Sequence, residues 1–166
     1  MTALVSQISL VDGPWDAELA SAIIAEHRDV EGAALPILHA LQEEFGYVPK
    51  QSDAMVASAL NISRAELHGI ISFYHDFRRS LPGRHVLKLC RSEACQAVGG
   101  VAIAERLLAR LDVGWGGTTA DGSLSVDATF CLGLCACGPA ALLDGEPMAL
   151  IDDAALRQVA EEACSR

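Results

Sequence analysis

HVLKLCRSEACQAVGGVAIAERLLARL, at residues 85–111, predicts a β-strand that leads into an α-helix. Its first six residues alternate around Lys88 as the residues of a half-buried strand do. From residue 97 onward, apolar side chains return every three or four positions, which is typical of an amphipathic helix. We expect one side of that helix to carry Val98, Val101, Ala104, Leu108 and Leu111. Cys90 closes the strand and Cys95 opens the helix, so the cysteines flank the connecting loop.

The rest of this half continues to alternate between strands and helices. SLSVDATFC at residues 123–131 predicts a second strand, and AALLDGEPMALI at residues 140–151 predicts two strands around a turn from Asp144 to Pro147. DDAALRQVAEEA at residues 152–163 predicts a closing helix with Asp152 or Asp153 at its N-cap. The resulting order, β-α-β followed by β-β-α, is that of a thioredoxin-like α/β fold.

The first half of the chain has a helical pattern from residue 14 to residue 76. Gly46 is suited to end one helix in a left-handed C-cap. Ser63 and Glu66 have the spacing of a capping box, and we expect the helix that they begin to run to the end of AELHGIISFYHDF at residue 77. Pro82 and Gly83 then interrupt the helical period. We therefore predict an N-terminal helical bundle over residues 1–80 and a thioredoxin-like domain over residues 81–166, α+β overall.

The composition excludes several classes of function. The 166 residues carry a formal net charge of −10, which is unfavourable for binding the phosphates of nucleic acid. No lysine or arginine precedes Arg28, so the start lacks the charged region of a secretory signal. The longest strongly apolar run, CLGLCACGPAALL, falls short of the roughly 20 residues that cross a bilayer. We expect a cytoplasmic protein without a membrane segment, where cysteines favour metal or redox chemistry over structural disulfides.

Four cysteines follow the two strands that are predicted to be parallel. Cys90 and Cys95 form a C-x4-C pair, and Cys131 and Cys135 form a C-x3-C pair. Because the ends of parallel strands meet at the same edge of a sheet, the four sulfurs can converge there. Both spacings are wider than a redox C-x-x-C dithiol, which favours a [2Fe–2S] cluster. A zinc-stabilised interaction module and a thiol–disulfide enzyme remain alternatives at this point.

Small and basic residues surround the two cysteine pairs. Glycines let backbone N–H groups approach ligand sulfurs, and ordinary turn geometry is the alternative, which explains Gly133 equally well; the four glycines are Gly99, Gly100, Gly133 and Gly138. Five of the twelve basic residues lie shortly before or just after Cys90: Arg78, Arg79, Arg84, Lys88 and Arg91. Their charge would favour the more anionic, reduced form of a cluster or face an acidic partner, and a solvated basic edge is the plain alternative.

The remaining cysteines and two histidines are not expected to be ligands. Cys137 lies two residues beyond Cys135, where both thiolates would compete for one coordination position, and a small buried apolar role fits it better. Cys164 lies near the C-terminus of the chain. His75 and His85 would make a Rieske-like mixed site, which the four cysteines make unnecessary.

Together with GYVP at residues 46–49 and FYHDF at residues 73–77, the four-cysteine pattern resembles the thioredoxin-like [2Fe–2S] ferredoxins. That family includes the small cluster subunit beside the flavin subunit of respiratory complex I. Within it, FYHDFR, CRSEACQAVG and CLGLCACGPAALLDG look most like the gamma subunit of soluble, NAD-dependent, molybdenum-containing formate dehydrogenases. His75 and CGPA stand where respiratory members more often have a threonine and an Asn-Ala-Pro stretch.

The resemblance implies a [2Fe–2S] cluster with Cys90 and Cys95 on one iron and Cys131 and Cys135 on the other. It also implies a non-catalytic subunit that relays single electrons to or from an FMN- and NAD-binding flavoprotein subunit, itself carrying Fe–S clusters. A molybdenum-containing catalytic subunit would complete the complex. An equivalent subunit of respiratory complex I or of an NAD-linked hydrogenase is the alternative within the family, and a homodimer of the isolated chain is compatible with it. The sequence contains neither a G-x-G-x-x-G fingerprint nor a P-loop.

Overall fold

The computed structural model describes residues 15–165. Contacts between Cα atoms divide the chain into two compact units, with the division between Leu81 and Pro82. Two of the expectations, a start without a charged leader and a bundle that begins at residue 14, concern residues outside the described range. Within that range, no helix combines the length and the apolarity that crossing a bilayer requires.

The first unit is helical, as predicted. Its helices within the described residues are α1 (Ala17–His27), α2 (Ala34–Phe45), α3 (Asp53–Ala59) and α4 (Arg64–Phe73), and a 3-10 turn (Lys50–Ser52) precedes α3. Apolar residues from these helices and from the segment after α2 form one core. Its largest fully buried side chains are Tyr47, Ile37, Leu38, Leu41, Leu67, Val48 and Val56.

Local capping fixes the ends of these helices. Gly46 ends α2 in the left-handed conformation, with a φ of 78°, which a residue without a Cβ adopts at little cost. The predicted capping box begins α4, because Ser63 Oγ accepts from the Glu66 N–H at 3.1 Å and Glu66 Oε2 accepts from the Ser63 N–H at 2.7 Å. Both features were predictable because they depend only on residues close in sequence.

The end of α4 differs from the prediction. The helix stops at Phe73 and does not reach residue 77, since Tyr74 adopts an extended conformation with a ψ of 98°. Phe77 then turns back into the core, where only 7% of it is exposed. The side chain of Gln42, on α2, accepts from the Arg78 N–H at 2.7 Å and so holds the segment in this path. These tertiary contacts replace the helical hydrogen bonds.

The second unit is built on a five-stranded mixed sheet with the strand order β2-β3-β1-β4-β5. β1 and β3 pair in parallel, and the other neighbours pair antiparallel. The strands are β1 (His85–Cys90), β2 (Gly117–Thr118), β3 (Leu124–Thr129), β4 (Ala141–Leu143) and β5 (Glu146–Met148). The helices are α5 (Glu93–Ala97), α6 (Gly100–Leu111) and α7 (Asp153–Cys164), and a second 3-10 turn spans Cys135–Cys137. The mixed α/β architecture agrees with the predicted fold class.

Leucines and valines from the central strands pack against α6 and α7. The most deeply buried residues of this core are Leu87, Leu124, Val126, Ala141, Leu107 and Leu156. β1 and β3 thereby lie in the middle of the sheet with apolar side chains on the helix-covered face. Central parallel strands of this kind are held firmly, so the loops that follow them start from fixed positions.

The connection after β1 differs from the single helix that was predicted. Gly99, with a φ of 93°, separates the short α5 from α6, so Cys95 lies within α5 and α6 begins only at Gly100. Val98 lies outside α6 and is 55% exposed, so its assignment to the apolar side of the long helix was wrong. The two-residue strand β2 was also missed, because it is too short to show an alternating pattern.

Asp153, the first residue of α7, contacts two arginines of α6 and one arginine of its own helix. Its carboxylate oxygens lie 3.0 Å from Arg106 Nε, 2.8 Å from an Arg157 guanidinium nitrogen and 3.5 Å from one of Arg110. Hydrogen bonds from Arg106 and Arg157 lower the pKa of the Asp153 carboxyl to about 2, well below the ordinary value of 3.8. A carboxyl whose pKa is lower in the folded than in the unfolded chain stabilises the fold above its unfolded pKa, and that contribution is lost as it becomes protonated.

We predict that the Asp153 contribution is complete above about pH 4 and disappears as the pH falls toward about 2. Asp153→Asn should therefore lower the free energy of unfolding at pH 7 and flatten its pH dependence between pH 4 and pH 2. Urea denaturation at a series of pH values measures both effects. Glu161→Gln, on the exposed side of the same helix, is the control and should leave the pH profile unchanged. Equal profiles for Asp153→Asn and the unaltered protein would contradict the prediction.

Candidate metal centre

The parallel pairing of β1 with β3 brings the two cysteine-bearing loops to one edge of the sheet. Cys90, the last residue of β1, lies opposite Thr129, the last residue of β3, and Cys131 follows two residues later. The loops are tied together by backbone hydrogen bonds, from the Cys90 N–H to the Ala140 carbonyl at 3.0 Å and from the Arg91 N–H to the Thr129 carbonyl at 2.8 Å. The predicted approach of the two cysteine pairs is therefore present in the backbone.

The four cysteines differ in burial. Cys90 and Cys95 are 7% and 1% exposed, and they form a small apolar cluster with Ala140. Cys131 and Cys135 are exposed, and their Sγ atoms lie 3.9 Å apart. A group bound by all four sulfurs would be covered on the side of the first pair and open on the side of the second.

The thiols influence one another electrostatically. Burial raises the pKa of the Cys90 thiol, but hydrogen bonds from the Ser92 backbone, the Cys95 thiol and the Cys131 backbone outweigh it and lower that pKa to about 7. Burial raises the pKa of Cys95, and the neighbouring Cys90 and Cys135 raise it further. The hydrogen bond with Cys131 and the charge on that thiol are the main causes of a raised pKa at Cys135.

The causes of these shifts lie within each cysteine pair, whose second members Cys131 and Cys135 have Sγ atoms 3.9 Å apart, and between the two pairs. Thiolates crowded in this way repel one another unless a cation lies among them, and iron or zinc removes that repulsion. Among residues 15–165, no three His, Cys, Asp or Glu side chains are arranged around one point as ligands of a single metal ion. The sulfurs are arranged as two pairs. Two pairs of thiolates fit a two-iron cluster, in which each iron takes two protein ligands.

Two of the predicted glycines lie against Cys95, Gly138 beside its sulfur and Gly100 beside its backbone carbonyl. A Cβ atom on Gly138 would lie 3.4 Å from Cys95 Sγ, and one on Gly100 would lie 2.7 Å from the Cys95 carbonyl oxygen. Gly133 has a φ of 75° and no atom near the position of a Cβ, so its backbone conformation accounts for it. The ligand-bearing segment from residue 128 to residue 143 contains no charged residue. Its small and apolar residues can therefore pack closely around a sulfur-rich group.

His85 and Cys164, which are not expected to be ligands, lie at the ends of β1 and β3 remote from the cysteine loops. His85 begins β1, at the end opposite to Cys90, and its Nδ1 lies 2.7 Å from Asp144 Oδ2. The Cys164 sulfur lies 3.0 Å from Ser123 Oγ, just before the start of β3 and thus at the end of that strand remote from Cys131. His75 belongs to the first unit.

Cys137 is exposed, and therefore not the buried apolar residue that was expected. Its backbone N–H donates to the Leu134 carbonyl at 2.9 Å, and its own carbonyl accepts from the Leu150 N–H at 2.8 Å. These bonds hold the 3-10 turn that carries Cys135.

Sequence reasoning missed the hydrogen-bonding partners of the buried thiols. The Ser92 hydroxyl and backbone both bond to Cys90, and the Ala140 backbone bonds to Cys95. Ser92 lies inside the C-x4-C motif, but the pattern does not indicate which way its side chain turns. The basic residues also differ among themselves: Arg79 binds Asp53 through both guanidinium nitrogens, at 3.0 and 2.7 Å, whereas Arg91 lies over an aromatic ring.

The second unit is therefore a thioredoxin-like domain in which two cysteine-bearing loops leave the sheet at one edge. Residues 20–163 match the family described as thioredoxin-like [2Fe–2S] ferredoxin. The chain therefore belongs to that family, as its motifs predicted, and its cofactor is a [2Fe–2S] cluster.

Similar proteins include a subunit of an NADH-quinone oxidoreductase and a subunit of an NADP-reducing hydrogenase. Over 135 residues, 81% of each chain, the protein is 30% identical to an NADH-quinone oxidoreductase subunit of Escherichia coli (strain K12). It is 31% identical over 109 residues to NADP-reducing hydrogenase subunit HndA of Solidesulfovibrio fructosivorans, covering 66% of this chain and 64% of that one. The crystal structure of an NAD+-reducing [NiFe]-hydrogenase in the H2-reduced state matches with a TM-score of 0.61 and 29% identity, over 78% of this chain and 22% of that chain. The protein thus corresponds to about a fifth of the hydrogenase chain.

We predict that Gly100→Ala displaces Cys95 and lowers the amount of cluster bound. The added methyl group would lie 2.7 Å from the Cys95 carbonyl oxygen, a distance that forces the backbone to move. Iron and acid-labile sulfide per chain, measured after anaerobic purification, report the loss. Gly114→Ala is the matched control, because a Cβ atom there meets no atom within 4 Å. Full cluster content in Gly100→Ala would show that Cys95 is not held by this contact.

Proposed function

We propose that this chain is the [2Fe–2S] electron-transfer subunit of a soluble, NAD-dependent, molybdenum-containing formate dehydrogenase. The observation that carries the electron-transfer role is the pair of cysteine loops at one edge of the sheet, together with membership of the family. The assignment to formate dehydrogenase is supported by His75 and by CGPA after the last proposed ligand. The proposal includes a cytoplasmic location and two domains, a helical bundle over residues 1–80 and the cluster domain over residues 81–166.

Cys90 and Cys95 are proposed to bind one iron, and Cys131 and Cys135 the other. Support comes from the pairing of the thiols, since Cys90 bonds to Cys95 and the Sγ atoms of Cys131 and Cys135 lie 3.9 Å apart. When bound, the cluster accepts and releases one electron at a time. No other reaction is assigned to this chain.

The residues around the cysteines control how readily that electron is accepted. Backbone and side-chain donors at Ser92, and the backbone N–H groups of Cys131 and Ala140, place positive hydrogen atoms against the sulfurs of Cys90 and Cys95. Such bonds favour the more negative, reduced state and raise the reduction potential. The exposed Cys131 and Cys135 form the side from which a partner can approach closely.

The proposed partners are an FMN- and NAD-binding flavoprotein subunit with Fe–S clusters and a molybdenum-containing catalytic subunit. The named relatives, from NADH-quinone oxidoreductase and from NAD(P)-reducing hydrogenases, support a complex in which a nicotinamide nucleotide is one reactant. They also favour a second candidate, the equivalent subunit of respiratory complex I or of an NAD-linked hydrogenase. A homodimer of the isolated chain remains part of the proposal.

The ligand assignment predicts a clear division among the six cysteines. Cys→Ser at residue 90, 95, 131 or 135 should abolish the cluster or alter its spectrum, because an alkoxide or water replaces a thiolate at iron. Cys137→Ser and Cys164→Ser are the matched controls and should retain two irons, two sulfides and the EPR signal of the dithionite-reduced protein. Loss of the cluster in Cys164→Ser with retention in Cys95→Ser would overturn the assignment. A colourless protein containing one zinc would instead support the interaction module.

The assignment to a formate dehydrogenase is tested in the source cell. A tagged full-length chain, recovered anaerobically under mild conditions, should carry flavin and molybdenum, and the recovered complex should reduce NAD+ with formate. A strain that lacks the chain should lose this activity, and the unaltered chain should restore it whereas Cys131→Ser should not. Recovery of an NAD-linked hydrogenase or of quinone-reducing subunits, without formate oxidation, would replace the leading assignment with the second candidate.

A further inference from the structure

Arg91 follows Cys90 directly and lies against an aromatic ring. The central carbon of its guanidinium group is 4.8 Å from the centre of the Trp115 ring, within the range of a cation–π interaction. Trp115 is 36% exposed and belongs to the loop before β2. The sequence does not reveal this contact, because Arg91 and Trp115 lie in separate loops.

The pairing of the strands places this contact at the cysteine edge. β2 and β3 are antiparallel, with Gly117 opposite Val126, so residues before Gly117 run beside the end of β3 that leads to Cys131. The Gly116 N–H donates to the Val126 carbonyl at 2.8 Å and fixes the backbone next to Trp115. The ring is therefore held on the same side of the sheet edge as the two cysteine loops.

Hydrogen bonds also fix the backbone of Arg91. Its N–H donates to the Thr129 carbonyl at 2.8 Å, and its carbonyl accepts from Gln96 Nε2 at 2.7 Å. Arg91 is thus anchored to both proposed ligand loops, and its side chain leaves from a fixed point beside Cys90.

The charge on Arg91 is also uncompensated. Within residues 15–165 its guanidinium makes no ion pair with a carboxylate, whereas Arg79 is paired with Asp53 and three arginines share Asp153. Arg84 is also close to Cys90 in sequence, but it is exposed and precedes the start of β1, at the end of the strand opposite to Cys90. Arg91 is therefore a full positive charge next to a proposed ligand.

We infer that Arg91 raises the reduction potential of the [2Fe–2S] cluster through its charge, and that Trp115 is the positioning residue that holds this charge at the cluster edge. The inference rests on the proposed function, specifically on the four proposed ligands. Reduction adds one electron, supplied by a redox partner or by dithionite, to a cluster whose thiolate and sulfide ligands are already negative. A nearby cation stabilises the reduced form more than the oxidised form. The ring keeps the guanidinium partly out of water, where its charge is screened less.

The test compares midpoint potentials of the full-length, cluster-loaded protein by EPR-monitored redox titration. Arg91→Gln should lower the equilibrium constant for reduction on the order of fivefold, which corresponds to about 40 mV for one electron. Arg91→Lys keeps the charge and should stay near the unaltered protein, and Trp115→Leu should give a smaller decrease in the same direction. Arg84→Gln removes an equal charge from the other end of β1 and should cause no shift. Increasing salt should reduce the difference between Arg91→Gln and the unaltered protein.

Each variant must first show the iron content and EPR line shape of the unaltered protein. Equal potentials for Arg91→Gln and Arg84→Gln, with intact clusters in both, would overturn the inference while leaving the proposed ligands in place. A potential that falls equally in Arg91→Lys and Arg91→Gln would also contradict the role of charge. An unaltered protein without iron or EPR signal would overturn the proposed function itself.

The contact between Arg91 and Trp115 is tested separately, by tryptophan fluorescence of the cluster-free protein. Arg91→Gln should change the fluorescence and Arg84→Gln should not; no change in either variant would show that Trp115 does not hold Arg91.

Discussion

Parallel hydrogen bonding between β1 and β3 places the last residues of both strands side by side. Because Cys90 is opposite Thr129, the two loops that carry the cysteines leave the sheet at one edge. Parallel neighbours require a crossover connection, here α5 and α6, and the crossover itself contributes Cys95. An antiparallel arrangement of the same two strands would put Cys90 and Cys131 at opposite ends of the sheet. The approach of the two cysteine pairs therefore depends on the relative direction of these two strands.

The second constraint is electrostatic. The chain has a net charge of −10, and a cluster held by the four proposed thiolates would add further negative charge. The site lowers this cost locally: its ligand segment at residues 128–143 carries no charge, hydrogen-bond donors face Cys90 and Cys95, and Arg91 brings an unpaired cation. Because Cys90 and Cys95 are buried, water screens the hydrogen bonds to their sulfurs little, and these bonds are correspondingly stronger. An acidic surface and a reducible cluster are thus compatible in one small protein.

Sequence reasoning succeeded where the determinants are local or topological. β1 has the predicted limits, the Ser63 capping box is present, and the parallel pairing follows from the β-α-β order. It failed where distant residues intervene. Gln42 holds the chain after α4 on a path that no helical period reveals, and Gly99 divides what reads as one continuous helix. The cysteines could be found from their spacing, but their unequal burial and the contact between Arg91 and Trp115 arise only when separate loops meet.

The similar proteins are named for different reactions, quinone reduction in one case and NADP or NAD+ reduction in the others, yet the family model and the hydrogenase structure both match most of this chain. An electron carrier needs no pocket shaped to a substrate; it needs a cluster, a suitable potential and a surface that a partner can approach. The sheet edge is the proposed site of the cluster. The potential and the approach are proposed to depend on residues around it, Arg91 and Trp115 for the potential and the exposed Cys131 and Cys135 for the approach. Differences between complexes should therefore accumulate around the cysteines and leave the β1–β3 register unchanged.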